Sequence, residues 1–557
     1  MSRKFHSILC SVLCVMLACL LVPAMAGAAG ETRQSELNWG VMMNYRVQED
    51  GTAEIISLDI PDDRYVYTID IPAEVDGYPV TVIGEGALMN AETVTLPEGI
   101  REIKSYGCST VCLKGTIPST IRVIGEYAFA GFCRDDGWSP LELPASLQVL
   151  GDHAFHDTGF KEVILPDGLQ MVGANPFSEN HMLVSIIVSS NHPYLAVMDG
   201  VLYSKADRRL VCCPVSKKIG EVPEGIRIIG EDAFNGNEGG GTIKLPESLT
   251  MIEARAFKNN DYRTSITIPD RVMEIGDEAF RSCNKLSEVR LSRNLESIGA
   301  YAFEHTNLSS ITLPDSLKHI GLMAFSDTGL QSLTIPANVD RIDGNPASCY
   351  KLESISVAGG NTRYQMINGC LYDVKDHILV CGLQSKSYDD FPFVEGTTKV
   401  ADYALYSVKC KSIRIPDTVQ ELGRWSFYLT GAETVVLPQG LREIPEGAMG
   451  RTHFNKIEIP SSVRVIGKNA FEDCSLKDFV IPEGVTTIED EAFLNCSMGT
   501  VTIPASVTYI GREAFMENTF YRYMRPKAYV TAGSYAETYC IEDHMDYTYQ
   551  SSSDWLN

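Results

Sequence analysis

Along most of the chain, apolar and polar positions recur in one fixed order. Phe479 and Ile481 alternate with polar neighbours, Pro482 follows, a polar turn comes next, and apolar residues return at Val485, Ile488 and Ala492-Phe493. Period-two alternation predicts a short strand with Phe479 and Ile481 pointing inward. Proline ends that strand because it has no N–H to give to a ladder. Pro-Glu-Gly at 482–484, Pro-Asp-Gly at 166–168 and Pro-Asp-Ser at 314–316 carry turn chemistry. The Gly-Asp-Glu-Ala-Phe run at 276–280 predicts a short helical turn, in which Ala lets coils approach and Phe fills the interior.

The order repeats. Prolines fall at 416, 438, 460, 482 and 504, a period of 22, and at 223, 246 and 269, a period of 23. The second half of the unit returns as Ile124-Gly125/Ala128-Phe129, Ile229-Gly230/Ala233-Phe234, Ile275-Gly276/Ala279-Phe280, Ile320-Gly321/Ala324-Phe325 and Ile510-Gly511/Ala514-Phe515. In the copy from Leu286 to Phe303, Ser292 stands where proline would be. About seventeen copies lie between Ile83 and Phe515. One such unit cannot bury its own apolar face, whereas stacked neighbours share a core. The chain therefore reads as a repeat solenoid and not as three or four globular domains.

These Ile-Gly-x-x-Ala-Phe and aliphatic-Pro-x-x-aliphatic blocks resemble the leucine-rich repeat, specifically the BspA-like family of bacterial secreted and cell-surface proteins. The resemblance spans roughly residues 40–550. It implies a right-handed β/α superhelix with one short strand and one short helical turn per 22–23-residue coil. It also implies adhesion, or binding of host or microbial surface molecules. A fold of this kind does not fix an activity.

The ends and interruptions divide the chain. Residues 1–26 read as a secretory signal, with Arg3 and Lys4 before the apolar run Ile8 to Val22 and small residues at Ala24-Met25-Ala26. Met16-Leu17-Ala18-Cys19 is a poor match to a lipobox. Residues 40–82 form an N-terminal cap, with a hairpin around Glu49-Asp50-Gly51, and 83–520 form the solenoid. Residues 521–557 form a C-terminal cap and tail, where Ser534 to Glu537 has the form of a capping box. Hairpin-like insertions interrupt the period near 189–215 and 358–390, and align with each other at an offset of 169. They serve either as spacers that bend the array or as ligand-contacting projections, with Tyr194, Tyr203, Tyr364 and Tyr372 as candidate contacts.

Composition narrows the partners. There are 47 Lys+Arg against 72 Asp+Glu, a net charge of -25. Such a balance disfavours nucleic acid, which needs clustered cations, and anionic lipid. With no second long apolar stretch, membrane insertion is not expected. Of the 16 Cys, Cys283, Cys349, Cys410, Cys474 and Cys496 fall in the slot just after the Ala-Phe segment, a place for compact core thiols. Cys108 and Cys112 have no matching pair for zinc, and Cys370 and Cys381 stand close enough in sequence to bridge their hairpin. His153 and His156, either side of Ala154-Phe155, read as exposed turn residues.

No Walker-type loop, His-Glu-x-x-His or Gly-x-Ser-x-Gly occurs. Paired acids such as Asp277-Glu278 recur with the repeat and read as solvated helix starts, not as a glycosidase pair. The reading is a non-enzymatic protein with no catalytic residue, metal or cofactor. It is secreted or surface-displayed and takes an extracellular protein or glycan. The binding face would be the outward strand positions Lys244, Thr267, Arg290, Thr312, Thr334 and Arg414. The alternatives are a structural cell-envelope protein and, behind it, an enzyme with a site in the insertions.

Overall fold

The computed structural model describes residues 30–550 apart from 38–39, 62–67, 135–139, 454–455 and 520–521. The expected signal at 1–26 and the final residues 551–557 lie outside the described residues. The chain divides into two compact units, up to Ala206 and from Asp207. Each is a β-solenoid, and the only helix of any length among the described residues is Tyr535–Glu542.

The coils contribute short strands to two sets of parallel ladders, the outward one interrupted: 310–313 carries no strand, and Lys244 makes only an isolated bridge with Glu221. In the second unit Ser265–Thr267 pairs with Glu288–Arg290, the strand expected before each proline. A second short strand at the Ile-Gly step forms the other ladder, through Ile228–Ile229, Met251–Ile252, Glu274–Ile275, Ser297–Ile298, His319–Ile320 and Arg341–Ile342. The first unit repeats the scheme, with Val123–Ile124 between Glu102–Ile103 and Val149–Leu150. Its N-terminal strands Met42–Val47 and Ala53–Asp59 pair antiparallel, and the latter feeds the ladder by pairing parallel with Tyr78–Ile83.

The segment expected as a helical turn is not helical. Glu278 and Ser282 take left-handed backbone angles, φ 55° and 58°, as do Tyr301 and His305 one coil later. These residues alternate so that every second N–H points at the following coil. Glu278 N donates to Ala300 O at 2.7 Å, Phe280 N to Ala302 O at 2.7 Å and Ser282 N to Glu304 O at 2.8 Å. A helix would spend those donors within the coil; here they bond one coil to the next.

Inward side chains then stack in register. Phe234, Phe257, Phe280, Phe303 and Phe325 are at most 1% exposed, and successive ring centroids are 4.8, 5.1, 5.2 and 5.7 Å apart. Phe471, Phe493 and Phe515 continue the pattern at 5.2 Å. The cysteine slot is buried as expected, and its thiols also bond between coils. Cys283 Sγ donates to Phe257 O at 3.0 Å, and Cys496 Sγ to Phe471 O at 2.8 Å.

The recurring acids are inter-coil caps, not helix starts. Asp277 accepts from Ala300 N at 2.9 Å, Asp402 from Arg424 N at 2.9 Å and Asp490 from Arg512 N at 2.8 Å. In the proline turns, Asp270 accepts from Arg293 N and Asp417 from Gln439 N, both at 3.1 Å. Each carboxylate satisfies a backbone N–H that turn geometry leaves unpaired.

The insertion near 358–390 is woven into the sheet. Tyr364–Ile367, Cys370–Asp373 and Ile378–Cys381 form an antiparallel meander, and Ile378–Cys381 pairs parallel with Lys399–Val400. Its first turn, Asn368-Gly369, has both residues at positive φ, the twist that suits a two-residue hairpin. In the first unit Leu195–Met198 and Val201–Ser204 pair in the same way around Asp199-Gly200.

Candidate binding face

The alternation that buries Ile266 and Leu333 turns their neighbours outward. Lys244, Thr267, Arg290, Thr312, Thr334 and Arg414 are all exposed. Thr267 and Arg290 are direct partners in the ladder, and Thr334 lies opposite Ser356 with their hydroxyls 2.9 Å apart. The second outward row, with Glu288, Ser310, Ser332 and Ser354, is exposed as well. The face is thus hydroxyl-rich with scattered charge, and it offers many hydrogen-bonding groups over successive coils.

The insertion tyrosines sit differently. Tyr194 is 43% exposed, whereas Tyr203, Tyr364 and Tyr372 are buried. The Tyr364 hydroxyl accepts from Ile342 N at 2.8 Å and that of Tyr372 from Val394 N at 3.2 Å. Burial raises the Tyr364 and Tyr372 phenols to about 12. These two rings seal backbone donors at the entry and exit of the meander, a task unavailable to a side chain facing a ligand.

The interruption also opens one ladder. Among the described residues, Ser354–Val357 pairs only with Ser332–Ile335, and Ser387–Asp390 only with Lys409–Arg414. Two open grooves lie near these strands. One, of about 530 Å³, is lined by Ser356, Asn361, Tyr364, Gln365 and Met366. The other, of about 460 Å³, is lined by Tyr388, Asp389, Lys409 and Lys411. The first adjoins the strand edge at the insertion, of which sequence spacing carried no sign; the second lies over the paired strands Ser387–Asp390 and Lys409–Arg414 and reaches Thr430.

Other candidate chemistry resolves into structure. Cys370 and Cys381 are free, buried thiols, while Cys112 is disulfide-bonded and stands in register with Cys133 on the neighbouring strand. His153 is buried, not exposed, and the Nδ1 atoms of His153 and His156 lie 2.8 and 2.9 Å from Ser178 Oγ. Glu304, His305 and Asp327 could converge on a cation, but Glu304 is already paired with Arg281 Nε at 2.5 Å. Glu278 is half-buried. Burial would raise its carboxyl, but hydrogen bonds from Lys258 and Arg281 prevail and hold it below the usual range.

The profile of the BspA type leucine-rich repeat region matches six copies over residues 67–183, 213–326, 293–373 and 396–522. The chain belongs to this family. Among solved structures, this family member is similar to a leucine-rich cell surface protein from Faecalibacterium prausnitzii, at 18% identity over 95% of this chain and 98% of that one, TM-score 0.36. It is also similar to the pneumococcal vaccine antigen PcpA, at 14% identity over 94% and 100%, TM-score 0.37. A leucine-rich repeat protein from Eubacterium ventriosum matches at 16% identity over 80% and 96%, TM-score 0.35. No curated protein matches the chain. Among the described residues of this BspA-type chain, no helix is long and apolar enough to cross a membrane.

Proposed function

We propose that this BspA-type protein is a non-enzymatic binding protein, secreted or displayed at the cell surface, that holds an extracellular protein or glycan on its outward strand face. The carrying observation is the exposed row Lys244, Thr267, Arg290, Thr312 and Thr334 on successive coils. A ligand laid along it meets a hydrogen-bonding group about every 4.8 Å, the spacing of adjacent strands. Export is supported by the Arg3-Lys4 and apolar start of the sequence and by the Cys112 disulfide, since such bonds persist in oxidising compartments.

The experiment is a glycan and extracellular-matrix array probed with the chain lacking residues 1–26, beside a variant carrying Thr267→Ala, Arg290→Ala and Thr312→Ala. Exposed substitutions of this kind leave folding nearly unchanged. Binding that the variant loses supports the reading. Binding retained by the variant moves the site off this face. No binding, with self-assembly in light scattering, favours a structural envelope role.

A further inference from the structure

In the second unit the residue three places after the cysteine slot is a core leucine: Leu286 follows Cys283 and is 1% exposed. One coil earlier the corresponding pair is Asn260 and Arg263, and one coil earlier again Gly240 takes the leucine position. Arg263 is nonetheless only 3% exposed, with its guanidinium carbon 5.7 Å from the Phe234 ring centroid. Its Nε, Nη1 and Nη2 have no hydrogen-bond partner, and neither do Oδ1 and Nδ2 of the fully buried Asn260. Gly240 is exposed and has no side chain, so this position of the preceding coil offers Arg263 no acceptor.

A guanidinium stays charged at any pH the fold meets. Buried charge needs a counter-charge, and buried donors need acceptors. The face of Phe234 attracts the cation but does not satisfy five N–H donors. The groups that sense Arg263 electrostatically are the thiols of Cys213 and Cys283. Burial pushes both up to about 12, so neither supplies negative charge at neutral pH. Among the described residues no carboxylate pairs with Arg263.

We infer that Arg263 and Asn260 form an internal site for a small inorganic monoanion of the chloride class. The guanidinium supplies the charge and the Asn260 carboxamide a further N–H. Because the site is assembled only by stacked coils, the anion binds the folded state and stabilises it by mass action.

The test is thermal unfolding of the full chain at neutral pH, in sodium chloride or bromide against sodium gluconate at equal ionic strength, with wild type beside Arg263→Leu. The substitution restores the residue type of the next coil. Wild type is expected to gain about 2 °C for each tenfold rise in halide above its Kd, and Arg263→Leu to lose that halide-specific gain. Bromide-soaked crystals of the wild type are expected to show an anomalous peak within hydrogen-bond distance of Arg263. Equal halide responses in the two proteins, or a bromide map with no peak at Arg263, would overturn the inference. If Arg263→Leu does not fold, the bromide map alone decides.

Discussion

A Cβ built on Gly299 would stand 2.4 Å from the backbone nitrogen of Asp277 in the preceding coil. The same contact recurs at Gly276, 2.5 Å from Ala254 N, and at Gly321, 2.3 Å from Ala300 N. None of these three is at positive φ. The glycine of the Ile-Gly step is therefore demanded by coil spacing and not by turn conformation. Gly299→Ala is expected to cost about 1–3 kcal/mol, the range for overpacking. Urea unfolding of the variant against wild type measures it; an unchanged midpoint would contradict the close approach.

Phe280 is sandwiched between Phe257 and Phe303. Phe280→Ala removes two ring stacks and leaves a cavity, an expected loss of about 3–5 kcal/mol. Hydrogen exchange should place the loss around that coil first, since each repeat contacts only its neighbours. Uniform loosening of distant coils would argue against a quasi-one-dimensional core.

His192 and Asn361 perform one task in the two insertions. The buried His192 ring donates from Nε2 to Pro166 O at 3.1 Å and accepts at Nδ1 from Tyr194 N and Leu195 N. Asn361 donates to Pro336 O at 2.9 Å and accepts from Arg363 N and Tyr364 N. His192→Asn should therefore stay within about 1 kcal/mol of wild type. His192→Ala, which strands a carbonyl and two N–H groups, should lose about 1–3 kcal/mol. Equal losses for both in thermal melts would refute the equivalence.

Among the described residues, eleven cysteines are free and buried. Burial raises the Cys283 and Cys474 thiols to about 12, far from the thiolate that reacts. An aromatic disulfide reagent should leave them unlabelled in the native protein at pH 8 and label them after denaturation. Rapid native labelling of Cys283 would mean that the slot is open.

Because the folded Glu278 carboxyl sits below its ordinary range, its stabilising contribution is complete above about pH 4.3, the unfolded value. It is lost as pH falls through the folded value. Glu278→Gln should be less stable than wild type at pH 7, and the gap should narrow as pH falls from 7 to 3. Denaturant midpoints at the two pH values decide it, and a gap unchanged at pH 3 would count against the ion pairs with Lys258 and Arg281.

The repeat, its period and the inward or outward sense of the strand positions are legible in the order of apolar and polar residues alone. Phe280 and Cys283 are buried, and Thr267 and Arg290 exposed, as alternation and spacing required. Those properties are local, since a side chain's face follows from its neighbours two residues away. Tertiary structure decided what depends on the register between coils. The Asp277 carboxylate meets a backbone N–H 23 residues downstream, and the Glu278–Ser282 segment sends its donors to the next coil in place of its own turn. Tyr364 and Tyr372 look like exposed hairpin residues in sequence, but the meander joins the ladder and turns their hydroxyls onto backbone donors. The edges at Ser354–Val357 and Ser387–Asp390 are likewise a tertiary matter: the three-stranded insertion lies between these strands in the chain, and among the described residues they do not pair with each other. Such contacts join residues about one coil apart, where a pattern of apolar and polar letters carries no distance.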